Sequence, residues 1–294
     1  MALTDPYYAV IEAGGTKFNC AVVTPGRDIV AEIRIPTTTP EETLAKTVAF
    51  FQQQREAGHA FTQMGIASFG PLDLNPASAT YGYITKTPKP DWSHTNLAGH
   101  LAAQLECEVT IDTDVNGAAL GEYRWGAAQD TKVAVYVTVG TGVGGGVVIN
   151  GKPLHGLVHP EIGHMLVQPP AGIHGVCPFH QNCVEGLASG TALGKIWSQP
   201  SDTFADEHPA WDGLSEVLGD MCHNLMVTLS AEKIILGGGV MQKHGLVEKV
   251  IAAASGKLND YIVMPEGISL EDIICLPGLD TRSGMFGALA LLDS

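Results

Sequence analysis

The feature that most constrains this chain is a repeat. VIEAGGTKFNCAVV begins at Val10 and YVTVGTGVGGGVVI begins at Tyr136. Each is a short apolar run, a Gly/Thr turn and a second apolar run. Runs of this length with a glycine turn between them read as β-hairpins. Two copies in one chain point to an internal duplication, in which each hairpin opens its own βββαβα-type unit. The expected fold is therefore α/β, with two related domains. Residues 1–113, joined by a last helix over 283–294, form the first domain, and residues 114–282 form the second.

Bulk composition fits two such domains. The chain has 294 residues, 45% of them hydrophobic and only 16% charged, so a sizeable core is available. Net charge is −15 and no Lys/Arg run occurs. Nucleic-acid and anionic-membrane partners are therefore excluded as expectations. Phosphate binding must come instead from backbone N–H groups, a cation and isolated basic residues. No apolar run is long enough to cross a bilayer. Met1–Pro6 has no secretory character, so a reducing cytoplasm is expected, with free thiols at Cys20, Cys107, Cys222 and Cys275.

Helices punctuate the strands. Pro40–Ala57 has Thr39 as N-cap and Glu41-Glu42 in its first turn. Thr95–Glu106, Asp114–Trp125, Val184–Trp197, Leu214–Leu229 and Val240–Asp260 follow. The last, Gly284–Leu292, is expected to cross back to the first domain. Residues 72–93 lack periodicity and are expected to form an ordered lid or substrate loop.

Three glycine turns stand at strand ends: Gly14-Gly15-Thr16, Gly140-Thr141-Gly142 and Gly237-Gly238-Gly239. Glycine lets backbone N–H groups approach phosphate oxygens, and threonine adds a hydroxyl. Asp112-Thr113-Asp114-Val115-Asn116 closes a strand and opens a helix. Asp114 there serves either as an N-cap or as a carboxylate that takes a proton from a substrate hydroxyl.

Glu161 to Glu185 forms a separate constellation. His164-x12-Cys177-x2-His180-x2-Cys183 offers four ligands of the kind that hold a structural zinc. The alternative is a Cys177–Cys183 disulfide. Two Pro and two Gly between His164 and Cys177 indicate a loop that a metal would have to organise. Glu161 and Glu185 flank it and are not needed as ligands.

AGGTK, DTDVNGAALGE, TVGTGVGGG, HPEIGH, CPFHQNCVEGLASG and ILGGGV, in this order, resemble the ROK sugar kinases, and within them the bacterial fructokinases. The resemblance covers Ile11 to about Gly287. It implies an actin-like, ribonuclease-H-like duplicated sugar kinase fold with an inter-domain cleft. It also implies ATP-dependent phosphorylation of a hexose, most of all D-fructose, with mannose, glucose or an amino sugar as alternatives. A sugar-sensing regulator of the same family is the alternative from another class. By resemblance, Asp114 is the general base. Glu161, His164, Glu185, Asn116 and Gly70 contact the sugar. Gly14, Gly15, Thr16, Lys17, Thr141 and Gly142 contact ATP phosphates, and Gly238 and Gly239 lie near the adenosine. Mg²⁺ accompanies ATP, with Glu12 where most members carry Asp, and zinc is structural. A homodimer is expected. Thr113 stands where many members carry Asn, and His180 replaces a cysteine ligand.

Overall fold

The computed structural model describes residues 7–293. The expected absence of a secretory signal over Met1–Pro6 lies outside them. By contacts, the described residues divide into two units, one of residues 7–124, 151–159 and 282–293, the other of residues 125–150 and 160–281.

In the first unit β1 (Tyr7–Ala13), β2 (Lys17–Val23) and β3 (Ile29–Pro36) form an antiparallel meander. Helix α1 (Pro40–Glu56) follows, with the Thr39 hydroxyl accepting from Glu42 N as a cap. Strand β4 (Phe61–Ser68) pairs parallel to β1. Two short strands, β5 (Tyr83–Ile84) and β6 (Thr95–Asn96), precede α2 (Leu97–Leu105). Then β7 (Glu108–Thr113) pairs parallel to β4 and feeds α3 (Asp114–Trp125). The sheet order is β3-β2-β1-β4-β7. Apolar side chains of β1, β2, α1, β4 and α2 fill one core, with Phe18, Phe51 and Ile66 fully buried. Alternating exposure along β3 marks it as the solvent-facing edge.

The second unit repeats that plan. Strand β8 (Val133–Val139) pairs antiparallel with β9 (Val143–Ile149). The two-residue β10 (Lys152–Pro153) follows in the chain. Helices α4 (Val184–Ala188), α5 (Gly190–Trp197) and α6 (Ala210–Leu229) lead to β11 (Lys233–Gly237), parallel to β8. Then come α7 (Leu246–Leu258), α8 (Leu270–Ile273) and β12 (Ile274–Cys275), parallel to β11. Within this unit the order β9-β8-β11-β12 repeats β2-β1-β4-β7, with the same directions. This is the duplicated α/β arrangement expected from the two hairpins.

Helix α9 (Ser283–Ala290) packs on β1 and β4 of the first unit. It also explains why α3, expected in the second domain, groups with the first. A Cβ on Gly287 would lie 2.1 Å from the Gly117 carbonyl, so only glycine permits this crossing of α3 and α9. Nearby, Ser283 Oγ donates to the buried Glu122 carboxylate at 2.6 Å.

Other local differences have local causes. The helix expected over 184–197 breaks at Ser189, whose side chain caps α5 by accepting from Ala192 N. The helix expected from Val240 starts at Leu246, after Gly245 at φ 75°. All six cysteines are free, which removes the disulfide alternative. Cys20 and Cys222 are buried, and burial pushes both thiols up to about 12, whereas Cys107 and Cys275 are only half-buried.

Candidate active site

The first glycine turn joins β1 to β2. Gly14 N donates to Lys17 O at 2.8 Å, and Gly14 O accepts from the Thr37 hydroxyl at 2.7 Å. Thr37 N donates to Thr16 O at 2.9 Å. The carbonyls are therefore tied down, and the Gly15 amide and Thr16 hydroxyl remain as donors for an anion. Two residues before the turn, Glu12 accepts from Asn19 Nδ2 at 2.7 Å.

At the carboxyl ends of β4 and β7 the chain turns twice. Thr113 pairs in register with Ser68, which leads into Phe69 and Gly70. Substrates bind at this end of parallel strands in open α/β sheets. Thr113, not Asp114, is the cap of α3: its hydroxyl accepts from Asn116 N at 3.1 Å. Capping therefore does not account for Asp114, whose Oδ1 accepts from Val115 N at 3.0 Å. Thr113 is buried and committed to that cap. Asn116 is fully buried, with its Nδ2 2.8 Å from Asp112 Oδ1.

In the second unit the second turn and one expected sugar carboxylate meet. Glu185, on α4, accepts from Val143 N at 3.1 Å. A Cβ on Gly142 would stand 2.7 Å from Glu185 Oε2, so glycine is needed for that approach. Gly140 O in turn accepts from Gly190 N at 2.7 Å, which brings the N-terminus of α5 to the turn. That helix end carries partial positive charge.

A cavity of about 780 Å³ opens there. Gly140, Thr141, Gly190, Thr191, Gly239 and Val240 line one part, uniting the second and third glycine turns. Ser201, Asp202, Phe204, Asp206, Trp211 and Lys243 line the rest. Phe204 stacks on His208 with centroids 4.2 Å apart, and Lys243 pairs with Asp206. Sequence reasoning did not find these residues. The aromatic spacing of Phe204, His208 and Trp211 was the one available signal, and it falls in a stretch without periodicity.

The Cys/His loop closes on itself. One ligand atom from each of His164, Cys177, His180 and Cys183 lies within 4.8 Å of the others. Cys177 Sγ is 4.0 Å from His164 Nδ1 and 3.9 Å from His180 Nδ1, and Cys183 Sγ is 3.7 Å from His164 Nδ1. Adjacent ligands on a tetrahedral zinc, with bonds of about 2.3 and 2.0–2.1 Å, stand about 3.6 Å apart. The donor set fits such an ion. His164 turns Nδ1 inward, which leaves Nε2 for a second partner. Burial pushes the Cys183 thiol up to about 11, so a cation is what would hold it as thiolate. Glu161, just before the short 3-10 turn Ile162–His164, is exposed.

The sequence matches the ROK family over residues 8–294. The chain belongs to the ROK family. A fructokinase of Zymomonas mobilis is 46% identical over 292 residues, covering 97% of this chain and 95% of that protein. A fructokinase of Lactococcus lactis is 40% identical over 274 residues, covering 92% and 91%. The crystal structure of a ROK hexokinase from Thermus thermophilus superposes with a TM-score of 0.77 at 25% identity, covering 97% of each chain. The duplicated two-domain, actin-like sugar kinase fold expected of this ROK chain is thus the observed one. Among its described residues no helix is long and apolar enough to cross a membrane.

Proposed function

We propose that this ROK-family chain is an ATP-dependent hexose kinase that converts D-fructose to fructose 6-phosphate. The observation that carries the choice of sugar is that relatives 46% and 40% identical over nearly the whole chain are named fructokinases. The meeting of Gly142 with Glu185 supports the chemistry, because transfer requires a phosphate-binding turn beside a sugar-binding group.

Asp114 acts as general base. The C6 hydroxyl oxygen attacks the γ-phosphorus, its proton passes to the Asp114 carboxylate, and the bond to the β-phosphate bridging oxygen breaks to release ADP. Glu161, His164 Nε2 and Glu185 bind sugar hydroxyls, helped by Asn116 and the Gly70 backbone. Gly14, Gly15, Thr16, Lys17, Thr141 and Gly142 hold the phosphates. Gly238 and Gly239 lie near the adenosine, with Gly239 lining the cavity described above. Bound Mg²⁺ supplies charge neutralisation on the phosphates. Glu12, fixed by Asn19, is the residue proposed to hold its water. Zinc on His164, Cys177, His180 and Cys183 is structural, and His164 links it to the sugar. The working form is read as a cytoplasmic homodimer.

Two measurements test this reading. ADP release across a hexose panel should rank fructose first, and fructose ranking below glucose would overturn the choice. Asp114→Asn should lower kcat by at least about 10²-fold, the lower range for general-base catalysis, while sugar binding by calorimetry survives. Near-normal turnover removes Asp114 as the base.

A further inference from the structure

Beside the proposed base lies a buried carboxylate with three hydrogen-bond partners, one of them a histidine to which the reaction above gives no role. Asp112 is 4% exposed and ends β7 two residues before Asp114. Its Oδ1 accepts from Thr113 N at 2.7 Å and from Asn116 Nδ2 at 2.8 Å. Its Oδ2 faces His155 Nε2 at 2.9 Å. His155 comes from residues 151–159, which group with the first unit. The next histidine in that segment, His159, accepts from Leu72 N at 3.4 Å through Nε2. A Cβ on Gly70 would lie 3.7 Å from the same nitrogen. The segment therefore covers the corner where β4 and β7 end.

Two polar atoms in this corner are open. Asn116 Oδ1 is fully buried and has no hydrogen-bond partner among the described residues. The amide cannot simply be turned over, because its oxygen would then face the Asp112 carboxylate. Buried acceptors of this kind are uncommon in folded chains and call for a donor. The second open atom is Nδ1 of His155. That side chain is 43% exposed, Nε2 is committed to Asp112, and no partner of Nδ1 occurs among the described residues. Asn116 Nδ2 and His155 Nε2 stand 3.4 Å apart, so the two side chains flank Asp112 together.

Neither fold nor capping needs this arrangement. Thr113 caps α3, and a purely structural Asn116 would have both ends of its amide satisfied. A carboxylate that holds one ring nitrogen of a histidine fixes the ring and decides what the other nitrogen offers.

We propose that Asp112, Asn116 and His155 form a hydroxyl-binding subsite for the sugar. One hydroxyl donates to Asn116 Oδ1, and its neighbour on the ring bonds Nδ1 of His155. Asp112 is the positioning residue that orients both side chains. The proposal rests on the hexose-kinase reading and deepens it. It gives this chain a contact with the sugar from residues 151–159, ahead of Glu161. The Asp112 hydrogen bond, with its charge adding, raises the pKa of His155 while partial burial lowers it. This keeps Nδ1 a donor over a wider pH range. Tyr81 also senses this carboxylate: its hydroxyl is raised by burial and by the Asp112 charge.

The test pairs protein variants with deoxygenated substrates. His155→Ala, His155→Gln and Asp112→Asn are assayed for kcat, sugar KM and ATP KM on fructose and its monodeoxy analogues. Melting curves run on the same samples. His155→Ala should raise sugar KM about 10- to 100-fold, the range for a hydrogen bond to a charged group, and leave ATP KM within about twofold. One monodeoxy sugar should be poor for the wild type yet no worse for His155→Ala, because the bond is already missing. Equal further losses on every analogue, or parallel rises in both KM values, overturn the subsite. His155→Gln should restore part of the lost affinity, and no recovery with an unchanged melting curve counts against a hydrogen-bonding role. A wild type inert on every hexose overturns the kinase reading itself, whereas an active wild type without coupling sinks the subsite alone.

Discussion

Each unit has one long irregular segment after its glycine hairpin, and the two are held in opposite ways. In the first unit, residues 69–94 wrap around a buried aromatic. Trp92 is fully buried, with ring centroids 5.5 Å from both Phe18 and Phe69. Its Nε1 donates to Thr38 O at 2.7 Å, and Lys89 Nζ donates to Thr37 O at 2.9 Å. Farther along, Asp73 accepts from Ser78 and Thr80, and those bonds hold its carboxyl below the usual range. Trp92 ties this segment, expected to be an ordered lid or substrate loop, to the core of the first unit. In the second unit, the apolar side chains of residues 165–183 other than Cys177 and Cys183 are at best half-buried. Leu166 is 66% exposed and Phe179 is 80% exposed. What converges there is His164, Cys177, His180 and Cys183. The difference teaches that a loop needs one point of convergence, and that apolar burial and a ligand set are interchangeable ways to supply it.

The strongest way to break that comparison is to remove the ligand set. Cys177→Ser and Cys183→Ser should each lose the bound metal and expose residues 165–183 to proteolysis. Structural zinc contributes about 10–16 kcal/mol in small peptides, so this is the largest expected effect. Metal analysis and limited proteolysis check it, and metal-free wild type of full stability would sink the zinc assignment. Trp92→Ala comes next, at about 3–5 kcal/mol for a buried aromatic. Denaturant unfolding should show that loss with metal content unchanged. A variant that also lost its metal would show that the two segments are not held independently.

The smallest expected effect concerns the Asp112–His155 pair. Its histidine pKa is raised in the folded chain, chiefly by the hydrogen bond to Asp112. The stabilisation is therefore fully present below the unfolded histidine value, near 6.5, and is lost as pH rises through the folded value. Melting temperatures of wild type and His155→Gln should differ most under acidic conditions and converge in the alkaline range. A gap that widens with pH would contradict the pairing. Because His155 is half-exposed, solvent screening keeps the effect small.

Much of this molecule was readable before any coordinates. Val10–Val23 and Tyr136–Ile149 carry a strand pattern with glycine between, and both formed hairpins. Thr39 and Pro40 announced α1, and that helix begins there. Cys177, His180 and Cys183 are close in sequence, so one turn gathers them, and His164 joins them. The misses share a cause. Whether Val184–Trp197 is one helix or two depended on whether Ser189 capped a new turn. The placement of α3 depended on α9, far along the chain. The cavity residues from Ser201 to Lys243 have no common spacing, because they meet from a loop, the start of α6 and the segment between β11 and α7.

Periodicity, turn residues and ligand spacing are properties of neighbours along the chain, and they determined the duplicated α/β plan, the glycine turns and the convergence of the Cys/His loop. Only the tertiary structure decided that Thr113 rather than Asp114 caps α3, that Glu185 lies against Gly142, and that His155 reaches Asp112. Asn116 and His155 are 39 residues apart in sequence. A carboxylate at a strand end has no local preference for a histidine that distant. That partner is chosen when the sheet and the segment over 151–159 close around the buried charge, which must find a donor once water has left.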